Sequence, residues 1–204
     1  MNARAPSPCL HELVAARICH DLVSPLGAIG NGLELLSMAG GDGSGGETGL
    51  IGESAALATA RLKLLRLAFG PAGDDRDMRE TETAGMVEAL QTALRLRLDW
   101  QVTGNPARPE MRCACLALMG LGASLIQEGS ATVTRDGSGH WQVQGRARRI
   151  ADASGLWAIA DGRAEAPADL AARLVHFAIL PQALAAAGRR LAVTHTEAGL
   201  SLSF

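Results

Sequence analysis

The sequence predicts a two-part fold, a helical hairpin followed by an α/β sandwich, and three observations support this prediction. Two long segments of helical spacing, at residues 8–38 and 50–69, flank the glycine-rich string AGGDGSGGETG. A polar stretch, GPAGDDRDMRE, then interrupts the apolar pattern at residues 70–80. Beyond it, segments of period two alternate with helical segments, a pattern typical of one sheet covered by helices. The sequence therefore predicts an all-helical unit joined to an α/β unit.

The hairpin is predicted from its boundaries and its apolar surface. Ser7-Pro8 suits a helix start, with serine as the cap and proline at the first helical position. The second helix stops at Gly70-Pro71, and the glycine-rich string between the helices predicts a flexible connection. Both helices are apolar over more than one stripe, as LKLLRLAF illustrates. One hairpin cannot cover that much apolar surface, so we expect a homodimer in which two hairpins form a four-helix bundle.

Domain limits follow from the polar stretch. We predict a helical unit over residues 1–70, a linker over 71–80 and an α/β unit over 81–204. In the α/β unit the spacing predicts, in chain order, a helix (83–98), a strand (99–103), an apolar helix (109–129), a hairpin (131–145), a strand (155–160), a helix (168–187) and a closing hairpin (191–204) with its turn near 197–199.

Composition excludes several classes of function. The formal net charge of −2 offers no broad attraction to nucleic acid or to anionic lipid. The longest uncharged apolar run, residues 113–126, is shorter than the ~20 residues that span a bilayer. MNARAPSPCL lacks the cationic start and apolar region of a secretory signal. We therefore expect a cytoplasmic protein that binds neither nucleic acid nor membrane.

The cysteines indicate buried thiols more than a disulfide or a metal site. A chain without an export signal rarely forms a disulfide framework. No C-x₂-C pair occurs, and Cys19 and His20 point about 100° apart on a helix, so they do not converge on one ion. We expect no metal and no cofactor to be bound by this chain.

The first helix places His20 on its outer face. On a helical wheel His20 lies about 160° from a coherent core stripe formed by Leu22, Leu26, Ile29, Leu33 and Leu36. Around His20, on the same face, lie Arg17, Ser24, Gly27 and Asn31. A glycine in this face lets another protein approach closely, whereas Pro25 leaves the Asp21 carbonyl without its usual partner. From spacing alone, a kinked structural helix with a surface histidine remains an alternative.

The string HDLVSPL is similar to the phosphoacceptor box of two-component histidine kinases, and the longer CHDLVSPLGAIGNGLELL resembles the alphaproteobacterial histidine phosphotransferases of the ChpT type. At the other end, ALAAAGRRLAVTHTEAGLSLSF resembles the last helix and hairpin of a kinase ATPase (Bergerat) domain. Three nucleotide-binding features of that domain are absent. RPEMRCACLALMGLGASLIQEG contains no asparagine, residues 152–155 have the wrong spacing for the nucleotide loop, and no glycine lid precedes His176. The resemblance implies a degenerate ATPase domain.

The resemblance also implies a function. Such a protein relays a phosphoryl group between aspartates of response-regulator receiver domains through a phosphohistidine, here His20. Asp21 would orient the imidazole or act as base, and Arg17 would offset phosphoryl charge. Receiver docking would involve Ser24, Gly27 and Asn31, and the receiver would supply Mg²⁺. Two alternatives remain: a binding module that holds or inhibits a kinase or regulator without accepting phosphate, and an ATP-dependent kinase, against which the missing nucleotide motifs argue.

Overall fold

Two long helices form the N-terminal part of the protein, as the sequence predicts. The computed structural model describes residues 9–38, 46–71, 76–126, 129–196 and 199–204. Helix α1 (Leu10–Met38) packs along α2 (Gly46–Phe69). The predicted start at Ser7-Pro8 and most of the predicted flexible connection (39–45) lie outside the described residues. Helix α2 begins at Gly46, within the glycine-rich string, and is therefore four residues longer than its apolar spacing indicates.

The C-terminal part is a mixed sheet covered by helices, which confirms the predicted α/β class. Within the described residues five strands form one sheet in the order β1-β3-β4-β7-β6, in which β1 runs parallel to β3 and the other neighbours are antiparallel. A two-stranded pair, β2 with β5, lies apart. The strands are β1 (Arg97–Val102), β2 (Leu125–Ile126), β3 (Ser130–Arg135), β4 (Trp141–Arg146), β5 (Arg149–Ile150), β6 (Ala192–Thr196) and β7 (Gly199–Ser203).

The part of the chain that the structure describes contains four further α-helices: α3 (Glu80–Leu94), α4 (Arg108–Ser124), α5 (Ser154–Ala160) and α6 (Val175–Ala186). Helix α4 packs on α6 and on β4, which places the core between these helices and the sheet. Close approach requires a glycine at several described positions, and two of them face the core. A Cβ on Gly120 would lie 2.8 Å from the Trp157 ring, and a Cβ on Gly145 would lie 2.4 Å from Leu121 Cδ1.

The strand predicted at residues 155–160 is wrong, because this segment is helix α5. A short apolar run without clear period is compatible with either structure, so local pattern does not decide between them. Local hydrogen bonds and tertiary contact favour the helix. Asp152 accepts hydrogen bonds from the Ser154 amide (3.2 Å) and hydroxyl (2.8 Å), and the ring centroid of Trp157 lies 5.0 Å from that of Phe177.

Several other boundaries differ from the prediction. Helix α3 ends at Leu94, four residues early, because Arg95 adopts a left-handed conformation with φ 52°. The apolar helix at 109–129 is α4, which ends at Ser124, since Leu125 and Ile126 pair with β5. The helix predicted at 168–187 begins at Val175, after a short 3₁₀ turn (Ala172–Leu174). The turn predicted near 197–199 lies mostly outside the described residues.

The two parts share one hydrophobic core. Leu64, Leu67 and Ala68 of α2 belong to the same buried cluster as α4. The described end of the predicted linker is also anchored, because the Met78 amide donates to the Pro106 carbonyl over 2.9 Å. The division at residues 71–80 remains a prediction. Both helices of the hairpin pack against the sandwich, α2 on α3 and α4, and α1 on α6.

Candidate functional site

His20 lies on the open side of α1. Its side chain is 78% exposed, as the helical wheel predicts. The three residues predicted to surround it as a docking face, Ser24, Gly27 and Asn31, are exposed as well. Helical periodicity places all four on one side of α1. A folded partner can therefore reach the imidazole without rearrangement of this chain.

Asp21 connects His20 to Arg17. Its Oδ1 lies 3.2 Å from His20 Nδ1, while Arg17 Nε donates to its Oδ2 over 2.6 Å. The side chains of Arg17 and Asp21 are each only 15% exposed. An ionised carboxylate can only accept hydrogen bonds, so the contact requires a proton on Nδ1. The neutral imidazole then carries its lone pair on Nε2, away from Asp21.

A contact from the second helix completes this turn of α1. Pro25 has no amide proton, so the Asp21 carbonyl four residues earlier has no helical donor. Arg61 of α2 supplies one, since its Nη1 donates to the Asp21 oxygen over 2.6 Å. Sequence reasoning identified the orphaned carbonyl but missed Arg61. No local signal links positions that are 40 residues apart in the chain.

The C-terminal part also contacts α1 close to His20. Arg17 Nη1 donates to the backbone carbonyl of Arg173 in the 3₁₀ turn. Further towards the N-terminus, Leu10 and Leu13 pack against a small cluster of buried side chains that comprises Ile159, Leu170 and Ala178. Arg17 therefore lies between the two parts of the molecule, and its side chain is mostly buried.

Another histidine lies next to this junction but is inaccessible. His176 on α6 is 2% exposed, and neither ring nitrogen has a hydrogen-bond partner within the described residues. Burial, with the nearby positive charge of Arg17 as the second cause, lowers the pKa of His176 to about 3. His176 is therefore a neutral core residue and does not serve as a phosphoacceptor.

We assign no role in the site to the cysteines or to a group of potential metal ligands near the start of α1. All four cysteines lie within the described ranges and are free. Cys113 and Cys115 are buried, as predicted, and burial raises the pKa of the Cys113 thiol to about 11. Cys9 and Cys19 are exposed, so the prediction of buried thiols is wrong for these two. Cys9, His11 and Glu12 offer ligand atoms within 4.8 Å of one another. All three are exposed, and the group does not include Cys19 or His20, so we assign no metal to it.

Comparisons with known proteins show similarity to phosphotransferases. Residues 80–199 match the family model described as histidine phosphotransferase C-terminal domain. The chain is similar to the protein phosphotransferase ChpT of Brucella abortus (strain 2308), with 53% identity over 64 residues, an alignment that spans only 31% of this chain and 30% of that relative. A solved structure of a bacterial phosphotransferase is similar over 95% of this chain and 94% of its own, with a TM-score of 0.76 and 27% identity.

Proposed function

Since the chain belongs to the histidine phosphotransferase family, we propose that it relays phosphoryl groups between the aspartates of response-regulator receiver domains, through a phosphohistidine at His20. It acts as a phosphotransferase and not as an ATP-dependent kinase. The observation that carries the proposal is the exposed imidazole whose Nδ1 faces the paired carboxylate of Asp21. Such an imidazole is held in one tautomer while its other nitrogen remains open to a partner.

The transfer step follows from that tautomer. The Nε2 lone pair of His20 attacks the phosphorus of an aspartyl phosphate on the donor receiver, and the bond from phosphorus to the aspartate oxygen breaks. The carboxylate leaves with the bonding electrons. The imidazole gains positive charge, which the neighbouring Asp21 carboxylate stabilises by accepting the Nδ1 proton or sharing it. The reverse sequence delivers the phosphoryl group to a second receiver.

Arg17 acts in this scheme through Asp21. Its guanidinium is occupied by the Asp21 carboxylate and the Arg173 carbonyl, so we assign it to orienting Asp21 in preference to binding the phosphoryl group itself. Both oxygens of Asp21 are occupied too, one by Arg17 and one by His20. Asp21 is therefore assigned to positioning His20, and we propose that Mg²⁺ arrives with the receiver domain.

The docking face comprises Ser24, Gly27 and Asn31. A Cβ built on Gly27 meets nothing within 4 Å, so packing inside this chain does not require glycine there. A helix-interior glycine costs about 1 kcal/mol relative to alanine, so its place on this face suits close approach of a partner. The 3₁₀ turn that binds Arg17 flanks the same region.

A homodimer is the second partner that we propose. The predicted core stripe of α1 is only partly covered in the single chain: Leu26 is 57% and Leu33 is 54% exposed, while Leu22, Ile29 and Leu36 are half-buried. Contiguous exposed apolar surface of this kind marks an interaction site. Pairing two hairpins into a four-helix bundle would cover it.

We also propose a cytoplasmic location. Helix α1 is long and apolar enough to cross a membrane by length and composition alone, which is weak evidence for a span. It carries the Arg17–Asp21 ion pair and contacts both α2 and α6. These contacts favour a helix packed in a bundle. The proposed partners, response-regulator receiver domains, are cytoplasmic.

Transfer from a phosphorylated receiver domain tests the proposed function. Wild-type protein should acquire an acid-labile, base-stable label and pass it to an added acceptor receiver, whereas His20→Ala should acquire none. His140→Ala, which removes another exposed histidine, is the matched control and should behave as wild type. Label on His20→Ala would contradict the site. A wild type that binds receivers without accepting label would favour the binding-module alternative.

A further inference from the structure

We propose that Arg61 is a positioning residue, which holds the phosphoacceptor turn by replacing the backbone donor that Pro25 lacks. The inference concerns the backbone of Asp21, next to His20, and not the reacting atoms. Its consequence for phosphoryl transfer rests on the proposed function, whereas its structural part does not.

A proline within a helix disturbs two groups at once. It removes the amide that would bind the carbonyl four residues earlier, and its ring crowds that same carbonyl. For Pro25 the affected carbonyl belongs to Asp21. A carbonyl left without a donor in a partly buried position is unfavourable, and the turn around it can distort or open to water.

Arg61 provides the missing donor from the neighbouring helix. Its Nη1 lies 2.6 Å from the Asp21 oxygen, a short distance of the kind found for hydrogen bonds with a charged donor. The contact is partly buried, which limits competition from water. The arginine side chain is long enough to reach across the interface between α1 and α2, and its charge strengthens the bond.

Two arginines therefore hold Asp21 from different directions. Arg17 binds the carboxylate from one turn earlier in α1, and Arg61 binds the backbone carbonyl from α2. Fixing both polar groups of Asp21 fixes the direction of the adjacent His20 ring, whose Nδ1 contacts the same carboxylate. Arg61 does not lie on the docking face, so its loss should slow transfer without weakening receiver binding.

A double-mutant cycle with Pro25 tests this role. Arg61→Ala should lower the maximal rate of label transfer to His20 about tenfold, with little change in the donor-receiver concentration that gives half-maximal rate. Pro25→Ala supplies its own amide, so adding Arg61→Ala to it should change the rate less than about twofold. Arg66→Ala, which removes an exposed arginine of α2, is the matched control and should transfer as wild type does.

Hydrogen–deuterium exchange gives a readout that does not need transfer. Peptides that cover residues 19–27 should exchange faster in Arg61→Ala than in wild type, and the Pro25→Ala background should suppress that difference. If Arg61→Ala does not fold, as judged by circular dichroism, Arg61→Gln replaces it, because the amide keeps a shorter, uncharged donor.

The outcomes separate this inference from the proposed function. Two results would overturn the role of Arg61 alone, provided that the wild type accepts label. One is an equal loss of transfer rate on adding Arg61→Ala to the wild type and to Pro25→Ala. The other is an unchanged transfer rate in Arg61→Ala. A wild type that accepts no label would overturn the proposed function. In that case the exchange experiment still decides whether Arg61 holds the Asp21 turn, and unchanged exchange would refute it.

Discussion

Helices α1 and α4 have similar apolar sequences but lie in opposite environments. Both are described from end to end, and eleven of the 17 residues of α4 are buried, against two of the 29 of α1. Their glycines differ in the same way. Gly120 of α4 lies against aromatic rings, whereas a Cβ on Gly27 or Gly30 of α1 would meet nothing within 4 Å. The apolar side chains of α4 are therefore buried within the chain, whereas several of those of α1 remain exposed.

The largest expected change in stability is the difference between matched leucine-to-alanine substitutions in the two helices. Leu118 of α4 is fully buried, so Leu118→Ala should lower the free energy of unfolding by about 2–5 kcal/mol through lost burial and a cavity. Leu33 of α1 is 54% exposed, so Leu33→Ala should lower it by about 1 kcal/mol or less at low protein concentration. Urea denaturation measures both.

Leu33→Ala should instead weaken self-association, which sedimentation equilibrium or light scattering would detect. Equal losses of stability for the two variants in a monomer would show that α1 is as fully packed within one chain as α4 is. A wild type that stays monomeric at micromolar concentration would contradict the dimer.

The same contrast between buried and open positions applies to the histidines and predicts acid sensitivity. Because burial lowers the pKa of His176 to about 3, the unfolded chain binds a proton below about pH 6.5 that the folded chain does not. The free energy of unfolding should therefore be highest above pH 6.5, as far as His176 contributes to it. It should decrease as the pH falls towards 3, by at most about 1.4 kcal/mol per pH unit.

Urea unfolding between pH 7.5 and 5 measures this loss. His176→Leu should flatten the pH dependence over that range, while the exposed His140→Gln should leave it unchanged. An unaltered slope in His176→Leu would show that the buried imidazole does not cause the acid sensitivity.

Alanine at two glycines of α1 should separate helix stability from docking. Gly27→Ala and Gly30→Ala should each stabilise the helix by about 1 kcal/mol, since neither added methyl meets another atom. Helical periodicity places Gly27 on the His20 face and Gly30 about 80° from it. Gly27→Ala should therefore raise the half-saturating receiver concentration several-fold, and Gly30→Ala should not. Similar binding by both variants would remove Gly27 from the docking face.

The smallest effect is expected when Mg–ATP is added to the protein. Helix α4 contains no asparagine to hold a metal–nucleotide complex, and Asp152 accepts hydrogen bonds from Ser154 at the start of α5. We expect no labelling with γ-labelled ATP and no shift of the melting temperature with Mg–ATP. Micromolar binding by calorimetry would overturn this expectation and reopen the kinase alternative.

The sequence by itself determined those features that depend on local periodicity. The spacing of Leu22, Leu26 and Ile29 is that of a helix, and a helix of that phase must carry His20 on its far side. The lack of an amide on Pro25 likewise orphans the Asp21 carbonyl whatever the rest of the chain does. These conclusions need only the 3.6-residue repeat and the covalent structure of proline.

The tertiary structure alone decided the features that join distant parts of the chain. Only packing brings Arg61 to the Asp21 carbonyl, the Arg173 carbonyl to Arg17 and an apolar enclosure to His176. The helix at 154–160, predicted as a strand, belongs to the same class, because contacts of Trp157 stabilise it. A short segment has nearly equal local preference for several conformations, so long-range burial and hydrogen bonding determine which one it adopts.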